Sequence, residues 1–208
     1  MKRTKEQADE SKRAILDAAY SVFLEKGYTA TKVEDIAHKI GMTRGVIYWH
    51  FKNKTDLFFS LINKEFDNAI SKSQDVFNSD DSLENKLVKL LNNDEIGSRF
   101  FELIKTFQPG SIDRDSKPYR LAIKQITDKF QSAFDQFGFF VTKEQKCGNV
   151  KKSVDVQAFC ATFVMISGIL NSPRLCDDTT KIAGIREKKR NEIVNFIWNG
   201  LGTAFLRK

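Results

Sequence analysis

Residues 33–50 read VEDIAHKIGMTRGVIYWH. Val33, Ile36, Ala37 and Ile40 fall at i, i+3, i+4 and i+7, one stripe of a 3.6-residue period, so the stretch opens on a short amphipathic helix. Gly41 stands where that helix must stop and the chain reverse within about three residues. Thr43 offers an N-cap oxygen to a second short helix, predicted from Arg44 to about His50. That helix carries Arg44, Tyr48, Trp49 and His50 and no acid. Successive helical side chains point about 100° apart. Tyr48 and Trp49 therefore cannot both share one narrow buried face with Val46, Ile47 and Phe51, and a Tyr-Trp-His run is left for the surface. Helix, tight turn, helix is the pattern in which the second helix enters a DNA major groove. Arg can bridge guanine O6 and N7, and aromatic rings can press on sugars and thymine methyls. Burial of Tyr48 or Trp49 as core is the competing reading. His38 and His50 find no carboxylate or Cys at matching spacing, so no metal site is expected.

Working outward, Thr31 and Glu34 form a T-x-x-E pattern, which predicts a capping box for the first of these helices. Upstream, Ile15, Ala18, Ala19, Val22 and Phe23 make a helical stripe over about residues 10–26, and Gly27 follows as a left-handed stop. Downstream, Asn53 or Thr55 caps a fourth helix with Leu57, Phe58, Leu61, Ile62 and Phe66 on one face. Beyond residue 78 the chain reads as helices between polar breaks. Leu83, Leu87, Leu90 and Leu91 mark one helix; residues 95–107 form another, ended by Pro109 and Gly110. Pro118 suits a first turn, and Tyr119, Ile123, Ile126, Phe130, Phe134 and Phe137 continue that helix. Residues 138–153 are expected as a loop with a turn at Cys147, Gly148 and Asn149. Residues 155–170 and 185–206 are the last two predicted helices. No strand alternation is visible, and the three prolines all fall at breaks. The predicted fold class is all-α.

Composition agrees. The 208 residues include only 3 Pro and 11 Gly, too few breakers for a turn-rich β fold. The formal net charge of +7 permits an anionic partner. Residues 1–54 hold 11 Lys/Arg against 7 Asp/Glu, and residues 39–54 hold four Lys/Arg and no acid. A solvated basic face would look the same on charge alone. Cys147, Cys160 and Cys176 are odd in number and lack C-x-x-C spacing, which argues against a disulfide framework and for a reducing compartment. The polar N-terminus does not resemble a signal peptide, and the longest apolar run, 158–170, is short of the ~20 residues that span a bilayer. A cytoplasmic location without membrane attachment is expected. No catalytic motif is present, and neither an enzyme nor a cofactor is expected.

The stretch 15–61, ILDAAYSVFLEKGYTATKVEDIAHKIGMTRGVIYWHFKNKTDLFFSL, resembles the N-terminal DNA-binding domain of the TetR family of bacterial transcriptional regulators. Its TRGVIYWHFKNKTDLF portion is similar to the AcrR-like, multidrug-efflux branch. The resemblance covers about a quarter of the chain, and the remainder is similar only in outline. It implies a helix-turn-helix domain over 1–55 and a helical effector-binding and dimerisation domain over 56–208. It implies that Thr43 caps the recognition helix and meets phosphate, and that Arg44 and Gly45 approach bases or backbone. Tyr48, Trp49 and His50 would complete the groove and phosphate contacts, with Lys54 on phosphate. Lys32 stands where the family usually has Thr or Ser, so its phosphate contact is inferred from charge. Lys2, Arg3 and Lys5 form a basic tail that either reaches the DNA or only solubilises.

Fourteen of the 18 Phe lie after residue 60. Phe66, Phe100, Phe101, Phe107, Phe130, Phe134, Phe137 and Phe163, with Glu102 and Gln125, are candidate lining for a pocket taking a lipophilic or aromatic effector. Plain core packing explains any single Phe as well or better. Phe159, Phe163, Ile166, Ile193, Ile197, Gly200, Leu201 and Ala204 are candidate dimer contacts, because the last two helices are apolar nearly all round and carry glycines that would let a partner approach. The family pattern pairs these helices with their symmetry mates. The expected function is therefore a repressor that binds a palindromic operator as a homodimer, is released by a small lipophilic effector and controls an efflux pump gene. An activator or a constitutive repressor is the alternative.

Overall fold

The structure, a computed structural model, describes residues 4–92, 98–107, 110, 112–171, 192–195 and 205. Among them are eight named helices: α1 Lys5–Ala30, α2 Val33–Lys39, α3 Arg44–His50, α4 Lys54–Asn78, α5 Leu83–Asn92, α6 Ser98–Thr106, α7 Lys117–Lys146 and α8 Val156–Asn171. The all-α expectation holds. Two compact units result: residues 1–66 with 102–126, and residues 67–101 with 127–208. α4 runs unbroken through residue 55, where the sequence led us to expect the division between domains.

In the first unit α1 packs on α2 and α3. Ile15, Ala19, Phe23, Ile36, Leu57 and Leu61 are fully buried there. Each apolar side chain buried at this level contributes about 1.5–3 kcal/mol. The rings of Phe23, Tyr28, Phe58 and Phe107 form an aromatic cluster, with Tyr28 and Phe58 edge-to-face at 4.8 Å. Burial pushes the Tyr28 phenol above its ordinary value, although a hydrogen bond with Thr55 at 2.9 Å opposes the shift.

Gly27 has φ +75, so the helical course of α1 is interrupted where the sequence placed a left-handed residue. The T-x-x-E box does not form. Thr31 is buried, and its N–H and hydroxyl both donate to the Gly27 carbonyl, closing α1 instead of opening α2. Only the side-chain-to-N-cap half of such a box forms, one residue later: the Lys32 N–H donates to Asp35 Oδ2 at 2.9 Å, and a lysine ammonium cannot accept in return. α2 ends in a Schellman motif: the Met42 N–H reaches the Ala37 carbonyl, the Gly41 N–H reaches that of His38, and Gly41 takes φ +62.

In the second unit Leu87, Leu90, Phe137, Val141, Phe159 and Cys160 form the core, with Phe134 and Phe163 packed against it. Residues 138–146 are helical, not loop: α7 continues through Gly138 because Val141 extends the buried stripe of Phe134 and Phe137. The turn at Cys147, Gly148 and Asn149 is present, with Gly148 at φ +86. Burial raises the Cys160 thiol to about 11, so it stays protonated and inert.

Candidate nucleic-acid interface

α3 is seven residues long, too short to persist alone. It is held by Ile47, 1% exposed, and by Phe51 just beyond it, also buried. With Ile47 inward, the helical period turns Tyr48 and Trp49 outward: they are 50% and 64% exposed. The exposure expected for both is observed, and the core reading fails. Arg44 and Gly45 open the helix on the same exposed side of the chain. Thr43 is an N-cap by backbone angles only; its side chain makes no capping hydrogen bond, so the capping role expected of its hydroxyl is absent.

Arg44 Nη1 donates to Glu34 Oε1 of α2 at 2.5 Å. The Glu34 carboxyl lies below its ordinary value, held there by its own backbone N–H and then by Arg44. Lys26 holds Asp35 at 2.8 Å, and Lys39 holds Glu25 at 2.6 Å. Several cations around the turn are thus paired with acids of α1 and α2.

Lys54, expected on phosphate, is engaged within the domain. Its ammonium donates to the carbonyls of Tyr28 (2.8 Å), Thr29 (3.2 Å) and Thr31 (2.8 Å) and lies over the Tyr28 ring. An ammonium has three donors, and all three are used inside the domain. Burial lowers its value from the ordinary one. Lys54 ties the end of α1 to the start of α4. His50 is half-buried, and its Nε2 lies 2.8 Å from Ser11 Oγ of α1. Sequence reading missed Ser11 and Glu34; no local pattern links residues 39 positions apart.

Residues 15–61 match the family of bacterial regulatory proteins, tetR family. This segment is a TetR-family N-terminal domain. Its curated relatives include the transcriptional regulator AcrR of Shigella flexneri, 47% identical over 57 residues, or 27% of this chain and 26% of that protein. The transcriptional repressor BepR of Brucella suis is 48% identical over 64 residues, 31% of each chain. The alignments thus span only a quarter to a third of these relatives. Solved structures show the same fold at greater length. NalD, the secondary repressor of the MexAB-OprM multidrug efflux pump in Pseudomonas aeruginosa, is 20% identical with a TM-score of 0.61, covering 98% of this chain and all of that one. FadR of Bacillus subtilis, solved with stearoyl-CoA, is 20% identical with a TM-score of 0.59, covering 88% of this chain and 95% of its own. At this identity the likeness to the solved structures is one of fold alone.

The residues expected for an effector pocket divide between the units. Phe66, Glu102, Phe107 and Gln125 belong to the first. There Glu102 accepts a short hydrogen bond from Tyr20 of α1, Phe107 joins the Tyr28–Phe58 cluster, and Gln125 is exposed. Phe100, Phe101, Phe130, Phe134, Phe137 and Phe163 belong to the second; Phe100 meets Phe101 and Phe130 edge-on, and Phe137 is core. Of the expected dimer contacts, Phe159 and Phe163 pack in the chain's own core, and Ile166 and Ile193 pack against Leu91 and Val194. These side chains are largely spent within the chain. Ile197, Gly200, Leu201 and Ala204, like Lys2 and Arg3 of the tail, lie outside the described residues. Among the described residues no helix is long and apolar enough to cross a membrane.

Proposed function

We propose that the chain is a DNA-binding transcriptional repressor of the TetR type that reads its operator with α3. The observation carrying this reading is the exposed face of Arg44, Tyr48 and Trp49 on a helix that itself holds no acid and is seated by Ile47. Arg44 exchanges Glu34 for a guanine edge or phosphate, Tyr48 and Trp49 meet the groove wall, and Thr43, Gly45, Lys32 and His50 meet the backbone. Lys54 acts indirectly, through the turn it holds. A homodimer places two such helices on a roughly palindromic operator, with half-sites about one turn (~34 Å) apart. A small lipophilic or aromatic effector bound beyond the head favours a conformation that no longer spans both half-sites, so affinity falls. The names of the relatives support repression and an efflux pump gene as the target.

The test is footprinting on the DNA upstream of the chain's own gene, at fixed salt, with and without lipophilic compounds. A protected palindrome lost with Arg44→Ala and released by a compound supports the full reading. Protection that no compound releases leaves a regulator without an effector, and no protection removes the DNA-binding reading.

A further inference from the structure

The basic side chains of α1 to α4 fall into two groups. Lys26, Lys39, Arg44 and Lys64 hold the carboxylates of Asp35, Glu25, Glu34 and Asp17. Lys54 is spent on three carbonyls. Lys12 and Lys52 differ: both are exposed, and among the described residues neither ammonium meets a carboxylate. Acids are near in sequence, Asp9 before Lys12 and Asp56 after Lys52, but Asp56 Oδ2 takes the Lys52 backbone N–H at 2.8 Å instead. Both lysines stand at the C-terminal end of α3. Lys52 follows Phe51, the buried residue that closes that helix. Lys12 comes from α1, and its Nζ lies 6.0 Å from the Phe51 ring centroid. Each is held by its neighbours. Ser11 Oγ lies 2.8 Å from His50 Nε2, which fixes α1 against this end of α3. The Asp56 N–H donates in turn to Asn53 Oδ1 at 2.8 Å, which fixes the chain at Lys52. Like charges gathered without a counter-charge add nothing to folding, and a phosphate diester supplies the counter-charge.

We propose that Lys12 and Lys52 are further DNA-contact residues, a pair of ammoniums from two elements that takes backbone phosphate at the C-terminal end of the recognition helix. This rests on the DNA-binding reading. A lysine ammonium is a strongly hydrated point charge on a flexible stem, so the pair carries no sequence information. It sets where α3 lies along the groove and at what tilt, while Arg44 stands at the opposite, N-terminal end of the helix. Each ammonium that neutralises a phosphate releases counterions, so each adds a salt-dependent, sequence-independent share of the affinity.

The test uses the full chain and a duplex it selects from a random-sequence pool, with a scrambled duplex alongside, both titrated in KCl. Lys12→Gln and Lys52→Gln keep most of the apolar stem and remove the charge, so Tm should hold. Each should lower the salt slope by about 0.9, which is about 3.5-fold in affinity between roughly 50 and 200 mM salt. The loss should be equal on the two duplexes, leaving the ratio of their affinities as in wild type. Lys12→Arg and Lys52→Arg should bind as wild type does. Arg13→Gln is the control: Arg13 is exposed, next to Lys12 on α1, and turned about 200° from Ser11. It removes the same charge away from α3 and should leave the slope as it was. A wild type that selects no duplex overturns the DNA-binding reading and this inference with it. A bound duplex whose salt slope is unchanged in either Gln variant, a loss confined to the selected duplex, or an Arg13→Gln slope lowered as much as theirs overturns this inference alone.

Discussion

At the residue scale, the cation expected to read DNA is engaged when DNA is absent. The Arg44–Glu34 pair is exposed, and such pairs are weak in water, so exchange for a guanine edge is easy. Arg44→Ala should lower affinity for the best operator by roughly 1–3 kcal/mol while leaving Tm unchanged; equal binding at the same salt would remove its base-reading role. Glu34 competes for the same guanidinium. Its value is lowered, so it stays ionised throughout the neutral range and competes there at every pH. Glu34→Gln should therefore tighten binding to any duplex at low salt, with the gain shrinking as salt rises; a titration series in KCl checks this. Lys54→Ala should act on the fold. Three hydrogen bonds from a charged group are lost, at a cost of roughly 1.5–3 kcal/mol, and Tm should fall. The salt slope of DNA binding should not change, whereas a decrease of about one would show that Lys54 releases a counterion after all.

At the scale of the element, the turn between α2 and α3 isolates one physical term. Gly41 has φ +62, and a Cβ built there meets nothing within 4 Å. Gly41→Ala should thus cost only the left-handed backbone penalty, about 1–2 kcal/mol, and Gly41→Asn less, since Asn tolerates that region. Thermal unfolding of the two variants orders them; equal losses would mean that space, not φ, governs the turn. This glycine was legible in the sequence, as were α3 and its outward aromatics, because periodicity and the 100° step are local. The misplaced elements had non-local causes. Thr31 was read as the cap of α2, but burial against the end of α1 turned its hydroxyl to Gly27. The stretch from Gly138 was read as loop, but the cost of a glycine inside a helix, about 1 kcal/mol, is small beside the burial of Phe137 and Val141 on either side of it. Ser11, Glu34 and the carbonyls that take Lys54 belong to other helices, so no reading along the chain pairs them with the site.

On the scale of the whole molecule, bivalent reading of a palindrome needs a second copy, and α8 is where its contact was expected. Phe159 and Phe163 face the chain's own core, which turns the opposite side of the helix outward. That side carries Gln157, Ala161, Val164, Met165 and Gly168, which lie close together on a 3.6-residue period. Val164 is 40% and Met165 61% exposed, unusual for neighbouring apolar side chains on a helix with no charge along its length. Gly168 has open space where a Cβ would stand, so a partner helix could approach there without displacing the chain's own atoms. In a twofold dimer this face would meet its own copy. Met165→Glu should then place two carboxylates near the axis and dissociate the dimer, while the buried face of α8 and the head stay intact. The variant should sediment as a monomer at micromolar concentrations where wild type is a dimer. Its affinity for a full palindrome should fall toward that for a half-site, because the second head no longer binds at high effective concentration. A monomeric wild type, or a Met165→Glu protein that remains dimeric, would move the contact to another surface.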